Sequence, residues 1–113
     1  MNYNGTIENT NILVSRNIEQ LMHNLSGFQR DLLYCIAGVE ESYGLGIKRA
    51  LESYKDIEVN TGRLYTNLNT LVEEGYVAKG RIDDRTNSYE LTAEAKQRLA
   101  ERQQWQAERL PTQ

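Results

Sequence analysis

Along most of this chain the apolar positions recur at three- and four-residue steps, and after Gly75 the step drops to two. The change separates helices from strands, because side chains return to one face every 3.6 residues in a helix and every second residue in a strand. Ile18, Leu21, Met22 and Leu25 form the first helical set, opened by Ser15 and closed near Ser26-Gly27. Phe28, Leu32, Cys35, Ile36 and Val39 form the second, with Leu33 and Ala37 widening its face. Ser26 is placed to cap it, its hydroxyl taking a free backbone N–H of the first turn. After the turn E-E-S-Y-G, Ile47, Ala50, Leu51 and Tyr54 alternate with Leu45, Lys48, Arg49 and Glu52 in a third helix. The run K-D-I-E-V, residues 55 to 59, leaves room for a turn or a three-residue strand.

The next stretch, N-T-G-R-L-Y-T-N-L-N-T-L-V-E-E-G from Asn60 to Gly75, organises the rest. Leu64, Leu68, Leu71 and Val72 share one helix face, while Thr61, Arg63, Thr66, Asn67 and Thr70 fall on others. Asn60 is a good N-cap, and Gly75 suits the left-handed residue past a helix end. The polar side carries Arg, Asn and Thr, which hydrogen-bond phosphates and base edges in a major groove. An ordinary amphipathic helix with a polar outside reads the same way.

Tyr76 to Ile82 and Ser88 to Thr92 alternate around the tip Asp83-Asp84-Arg85-Thr86-Asn87, as two strands of a hairpin would. Three helices and a hairpin predict a mainly α fold with a small β-hairpin, a winged helix-turn-helix. Arg81 and Arg85 near the tip are candidates for the minor groove or phosphates, partly offset by Asp83 and Asp84. Lys48 and Arg49 are candidates for the DNA backbone; a solvated pair, like a solvated hairpin tip, is the alternative.

The last helix, Ala93 to Leu110, is polar, with Ala95, Leu99, Trp105, Ala107 and Leu110 apolar, and stops at Pro111. Neither this stripe nor the first can bury itself, so pairing across a two-fold axis is expected, through Ile18, Leu21, Met22, Leu25, Leu99, Trp105 and Leu110. Burial within one chain is the competing account. The organisation that follows is a flexible arm over 1–14, a dimerisation helix over 15–26, a DNA-binding domain over 27–92 and a second dimerisation helix over 93–113.

Composition narrows the chemistry. A chain of 113 residues, 39% hydrophobic and 26% charged, fits one small domain. No apolar run approaches the ~20 residues of a membrane span, and the start M-N-Y-N-G-T-I-E-N-T lacks a signal peptide's basic and apolar regions, so a cytoplasmic place is expected. One cysteine, Cys35, and one histidine, His23, make neither an internal disulfide nor a four-ligand zinc site, and no cofactor is expected. Cys35 reads as a small core hydrophobe, with a redox-reactive thiol as the minor alternative. The net charge of −3 opposes nucleic-acid binding, but a groove meets only the local face. No phosphate loop or nucleophile–base set is present to support an enzyme.

In order, D-L-L-Y-C-I-A-G, Y-G-L-G-I, G-R-L-Y-T-N-L-N-T-L-V-E-E-G-Y-V and S-Y-E-L-T resemble the DNA-binding domain of PadR-family transcriptional regulators, over about residues 27 to 100. Within the family the chain is similar to haloarchaeal regulators of the RosR type. The resemblance implies that Gly62, Leu64, Tyr65, Leu68, Leu71 and Gly75 stand at recognition-helix positions, with Tyr65 at the DNA-facing start, and that the last helix dimerises. Tyr89 and Thr92 match the second wing strand and the cap of the final helix. Departures from the family pattern are Thr66 for a common proline, Leu45 for a tyrosine and Ala95 for a glycine.

The function expected is a homodimeric, sequence-specific regulator of double-stranded DNA, with Thr61, Gly62, Arg63, Thr66, Asn67 and Thr70 in the major groove. Tyr65, Lys48, Arg49, Arg81 and Arg85 would hold the backbone. The alternatives are a winged-helix module for a protein partner and a ligand sensor with Tyr34, Tyr43, Tyr54 and Trp105 around an intersubunit pocket.

Overall fold

The computed structural model describes residues 24–39 and 42–110. Its elements run α1 (Gly27–Gly38), α2 (Gly44–Lys55), α3 (Thr61–Glu73), β1 (Val77–Asp83), β2 (Thr86–Leu91) and α4 (Ala93–Arg109). The expected arm over 1–14 and the dimer contacts Ile18, Leu21 and Met22 lie outside the described residues.

Local chemistry sets the starts of α1, α3 and α4 and the end of α3. Ser26 Oγ accepts the Gln29 backbone N–H at 3.1 Å while Gln29 Oε1 accepts the Ser26 N–H at 3.0 Å, a reciprocal capping box that starts α1. Asn60 Oδ1 accepts the Arg63 N–H at 2.9 Å and starts α3. Gly75, at φ 85°, ends that helix: its own N–H reaches the Val72 carbonyl at 3.1 Å and the Tyr76 N–H the Leu71 carbonyl at 3.0 Å. This paired closure needs a left-handed residue, which glycine adopts without steric cost. Thr92 caps α4 by accepting the Ala95 N–H, and its hydroxyl also donates to the Gly75 carbonyl at 2.9 Å. One threonine thus ties the foot of the hairpin to the end of α3.

The 55–59 segment is a turn rather than a strand. Asp56 takes the left-handed conformation at φ 54°, and Glu52 Oε2 reaches across to accept the Val59 N–H at 2.8 Å and Lys48 Nζ at 2.9 Å. Lys55 pairs with Asp31 of α1 at 2.8 Å.

The core gathers Leu32 and Leu33 of α1, Ile47 and Leu51 of α2, and Leu64, Leu68 and Leu71 of α3, all fully buried. Tyr76, Val77, Tyr89, Leu91 and Ala95 close it from the hairpin and α4. Leu25 and Leu99, both expected at a dimer contact, are buried in this core.

The strands pair antiparallel from Val77 opposite Leu91 to Asp83 opposite Thr86, with an irregularity between Arg81 and Asp83. The hairpin is tighter than its sequence indicates, because Asp83, Thr86 and Asn87 belong to strands and only Asp84 and Arg85 form the tip. Asp83 Oδ1 accepts the Arg85 N–H at 2.8 Å, and an Asp side chain bonding two residues ahead shapes such a turn. The pattern of apolar residues also missed an isolated bridge from Tyr43 to Ser88, backed by the Tyr89 N–H on the Ser42 carbonyl at 2.7 Å. That bridge fixes the wing to the start of α2.

Candidate nucleic-acid interface

α3 has a buried row and an opposite outward row, Gly62, Thr66, Asn69 and Glu73, all exposed. Between them run two flanks. Arg63 and Asn67 meet Phe28 and Gln29 of α1, with Thr70 on the same side by helical spacing, while Tyr65 meets Gly44 of α2, with Thr61 and Val72 on its side. Asn69 is the residue the sequence reading missed, and its place one turn on from Thr66 was the available signal.

The flank toward α1 is held in place. The Arg63 guanidinium carbon lies over the ring of the core residue Phe28, 3.9 Å from its centre. This contact holds an exposed guanidinium in place at the surface, where its N–H groups are of the kind that meet guanine or phosphate. Gln29 Nε2 donates to Asn67 Oδ1 at 3.0 Å, and Asn67 Nδ2 donates to the Arg63 carbonyl at 2.8 Å. Thr70 Oγ1 donates to the Thr66 carbonyl at 3.1 Å, so its hydroxyl is engaged by the helix backbone. Gly62 matters for the cap, since a Cβ there would stand 3.2 Å from Asn60 Oδ1.

Tyr65 is half-buried and packs against the core, with its hydroxyl end against Gly44 at the start of α2. It braces the recognition helix against α2 rather than projecting freely. An open cleft of about 590 Å³ lies beside it, lined by Tyr43, Leu45, Tyr65, Ile82, Arg85 and Asn87 among others. Of the tyrosines and tryptophan expected around a ligand pocket, only Tyr43 lines this cleft; Tyr34, Tyr54 and Trp105 stand exposed elsewhere.

The cations divide into two groups. Lys48 is paired with Glu52 at 2.9 Å, one turn along α2, and the same carboxylate accepts the Val59 N–H across the turn to α3. Arg49 is exposed and its Nη1 stands 3.4 Å from the Tyr43 hydroxyl. Lys79, Arg81 and Arg85 are exposed along the wing, and among the described residues none of them is held in an ion pair. Lys79 is a cation the sequence reading left out. Backbone N–H donation from Arg85 and further bonds from Thr86 keep the Asp83 carboxyl below its usual range.

Cys35 of α1 is half-buried, and burial first, then the nearby Asp31 carboxylate, push its thiol above the usual value against the opposing pull of Lys55. A thiol held protonated is a poor nucleophile. Among the described residues no cluster of His, Cys, Asp and Glu is placed to hold a metal ion, and no helix is long and apolar enough to cross a membrane.

A polar, largely uncharged outward helix face, a braced helix pair behind it and a hairpin with three exposed cations beside it define a winged helix-turn-helix protein. The sequence profile of the transcriptional regulator PadR-like family matches residues 32–101, and the chain belongs to that family. Its structure is similar to RosR from H. salinarum grown from NaBr, at 41% identity over 80% of this chain and 81% of that one, with a TM-score of 0.74. It is also similar to the complex structures of hsRosR-S4 (38% identity, 85% and 83% covered, TM-score 0.78) and hsRosR-S1 (42%, 77% and 77%, TM-score 0.73). Comparison with curated proteins gave no match. The chain is a winged-helix, DNA-binding transcriptional regulator.

Proposed function

We propose that two copies of this chain bind one duplex, each laying α3 in a major groove with the wing over the adjoining backbone or minor groove. The reading rests on one observation above the rest: the outward row of α3 is polar and stands beside Arg63, which is exposed and held over the Phe28 ring. Thr61, Thr66, Asn67 and Asn69 supply hydrogen-bonding groups at the same surface. Arg49, Lys79, Arg81 and Arg85 supply the phosphate contacts that offset the net charge of −3. Lys48 is set aside, because its ammonium is paired with Glu52 at 2.9 Å.

Pairing is supported by α4. Beyond Leu99 the helix runs on from Ala100 to Arg109 with only Arg102 partly covered, and Trp105 and Leu110 are 48% and 82% exposed. A projecting helix with exposed apolar side chains is stabilised by a second copy of itself. A two-fold pair would set its recognition helices about 34 Å apart, one helical turn of DNA.

The test is equilibrium binding of the purified chain to its own upstream DNA across a series of salt concentrations. A steep fall of log K with log salt, about 0.9 per phosphate contact, supports the reading. No binding, or a flat salt dependence, favours a protein-binding module and overturns it.

A further inference from the structure

We propose that Gln29, in the first turn of α1, sets the polarity of Asn67 and so makes Asn67 a reader of adenine; this rests on the DNA-binding reading above. The bonds form a directed chain. The Ser26 N–H can only donate, so the Gln29 atom facing it at 3.0 Å is Oε1, and Nε2 must point the other way. Nε2 is a donor, so the Asn67 atom it meets at 3.0 Å is Oδ1. Asn67 Nδ2 then falls on the Arg63 carbonyl at 2.8 Å, an acceptor that suits no other orientation.

An amide has two lone pairs on oxygen and two hydrogens on nitrogen. With one of each spent inside the protein, Asn67 keeps one acceptor and one donor, in a fixed order. That pair matches adenine, whose N6–H donates and whose N7 accepts in the major groove. A freely turning Asn would lose rotamer entropy on binding and could present either order. The chain through Gln29 removes that freedom beforehand, so Gln29 is a positioning residue that acts through Asn67.

Gln29→Glu isolates this role. A glutamate side chain at this position keeps the capping box with Ser26, so α1 keeps its start. It cannot donate to Asn67, which would then face acceptors on both sides, the new carboxylate and the Arg63 carbonyl, with a single NH2 group. The experiment is selection of wild-type protein, Asn67→Ala, Gln29→Glu and the uncharged Gln29→Met on a duplex library with randomised half-sites, read by sequencing the bound fraction. Wild-type protein is expected to enrich adenine at one position of each half-site. Asn67→Ala should lose that preference, and both Gln29 variants should lose about fivefold of it or more while the other positions keep theirs. Gln29→Glu should also bind every sequence more weakly, through its charge, and Gln29→Met should not.

Adenine preference retained by both Gln29 variants at the position Asn67→Ala loses would overturn the positioning role alone. An Asn67→Ala profile identical to wild type would overturn the adenine reading by Asn67 and the positioning role with it. If wild-type protein enriches no sequence at all, the DNA-reading assignment itself falls and this inference falls with it.

Discussion

Gly44 and Tyr65 show how one atom's width decides a contact. A Cβ on Gly44 would collide with the Tyr65 hydroxyl and ring, so the tyrosine can brace α3 against α2 only because α2 begins with glycine. Gly44→Ala is expected to cost about 1–3 kcal/mol in denaturant unfolding, and much less on a Tyr65→Leu background, where the collision is gone. Tyr76 offers the opposite case. Its ring is buried and its hydroxyl has no hydrogen-bond partner, so Tyr76→Phe should raise stability by about 1 kcal/mol. Burial first, then Glu74, push the Tyr76 hydroxyl up to about 12. Because the folded value lies above the ordinary one near 10, the folded state holds this proton more tightly. The stability involved is complete below about pH 10 and is lost as pH rises toward about 12. Melting temperatures of Tyr76→Phe and wild type should therefore draw further apart over that interval, the variant lacking this part of the alkaline decline.

At the scale of elements, the turn between α2 and α3 depends on Glu52, which the Val59 N–H first and Lys48 second hold below the usual carboxylate range. A lowered folded pKa places this stabilisation at neutral pH and removes it as pH falls through that value. Glu52→Gln should flatten the acid side of the stability profile, measured by thermal melting from about pH 7 down to the acid transition. The wing is a separate element with separate chemistry: beyond Val77, Tyr89 and Leu91 both strands are exposed or half-exposed, so its arginines carry little of the fold. Arg81→Ala with Arg85→Ala should leave melting nearly unchanged. It should also shrink the salt dependence of DNA binding by about 0.9 for each arginine that touches a phosphate. An unchanged slope would place the wing away from the backbone.

For the whole molecule, the decisive quantity is what covers α4. Leu99, Arg102, Gln106 and Leu110 follow one line along the helix, and Trp105 sits about a third of a turn away, with Arg109 stacked on it at 4.2 Å. Ala95 and Leu99 pack into the domain, while Trp105 and, just past the helix end, Leu110 stay exposed. Trp105→Ala is expected to weaken self-association by about 2 kcal/mol or more, seen by analytical ultracentrifugation, with DNA affinity falling in parallel. A dimer indifferent to Trp105 would move the contact elsewhere.

The elements themselves were legible without coordinates. Ser26, Asn60, Gly75 and Thr92 are punctuation whose meaning is local: a side-chain oxygen one turn from a free N–H, or a residue able to turn left-handed. The winged architecture followed from the switch between periods of 3.6 and two, and the resemblance to PadR regulators agreed with it. Sequence alone could not apportion polar side chains between outside and inside. Arg63, Asn67, Lys48 and Tyr65 all looked like free recognition groups, yet Phe28, Gln29, Glu52 and Gly44 each claim one of them. These partners are 4 to 38 positions away along the chain, and only the packing of α1 and α2 against α3 brings the distant ones within bonding range. Nor could periodicity tell Leu25 and Leu99, spent on the chain's own core, from Trp105 and Leu110, which are not. A stripe records that a face avoids water, and the tertiary structure decides what that face is packed against.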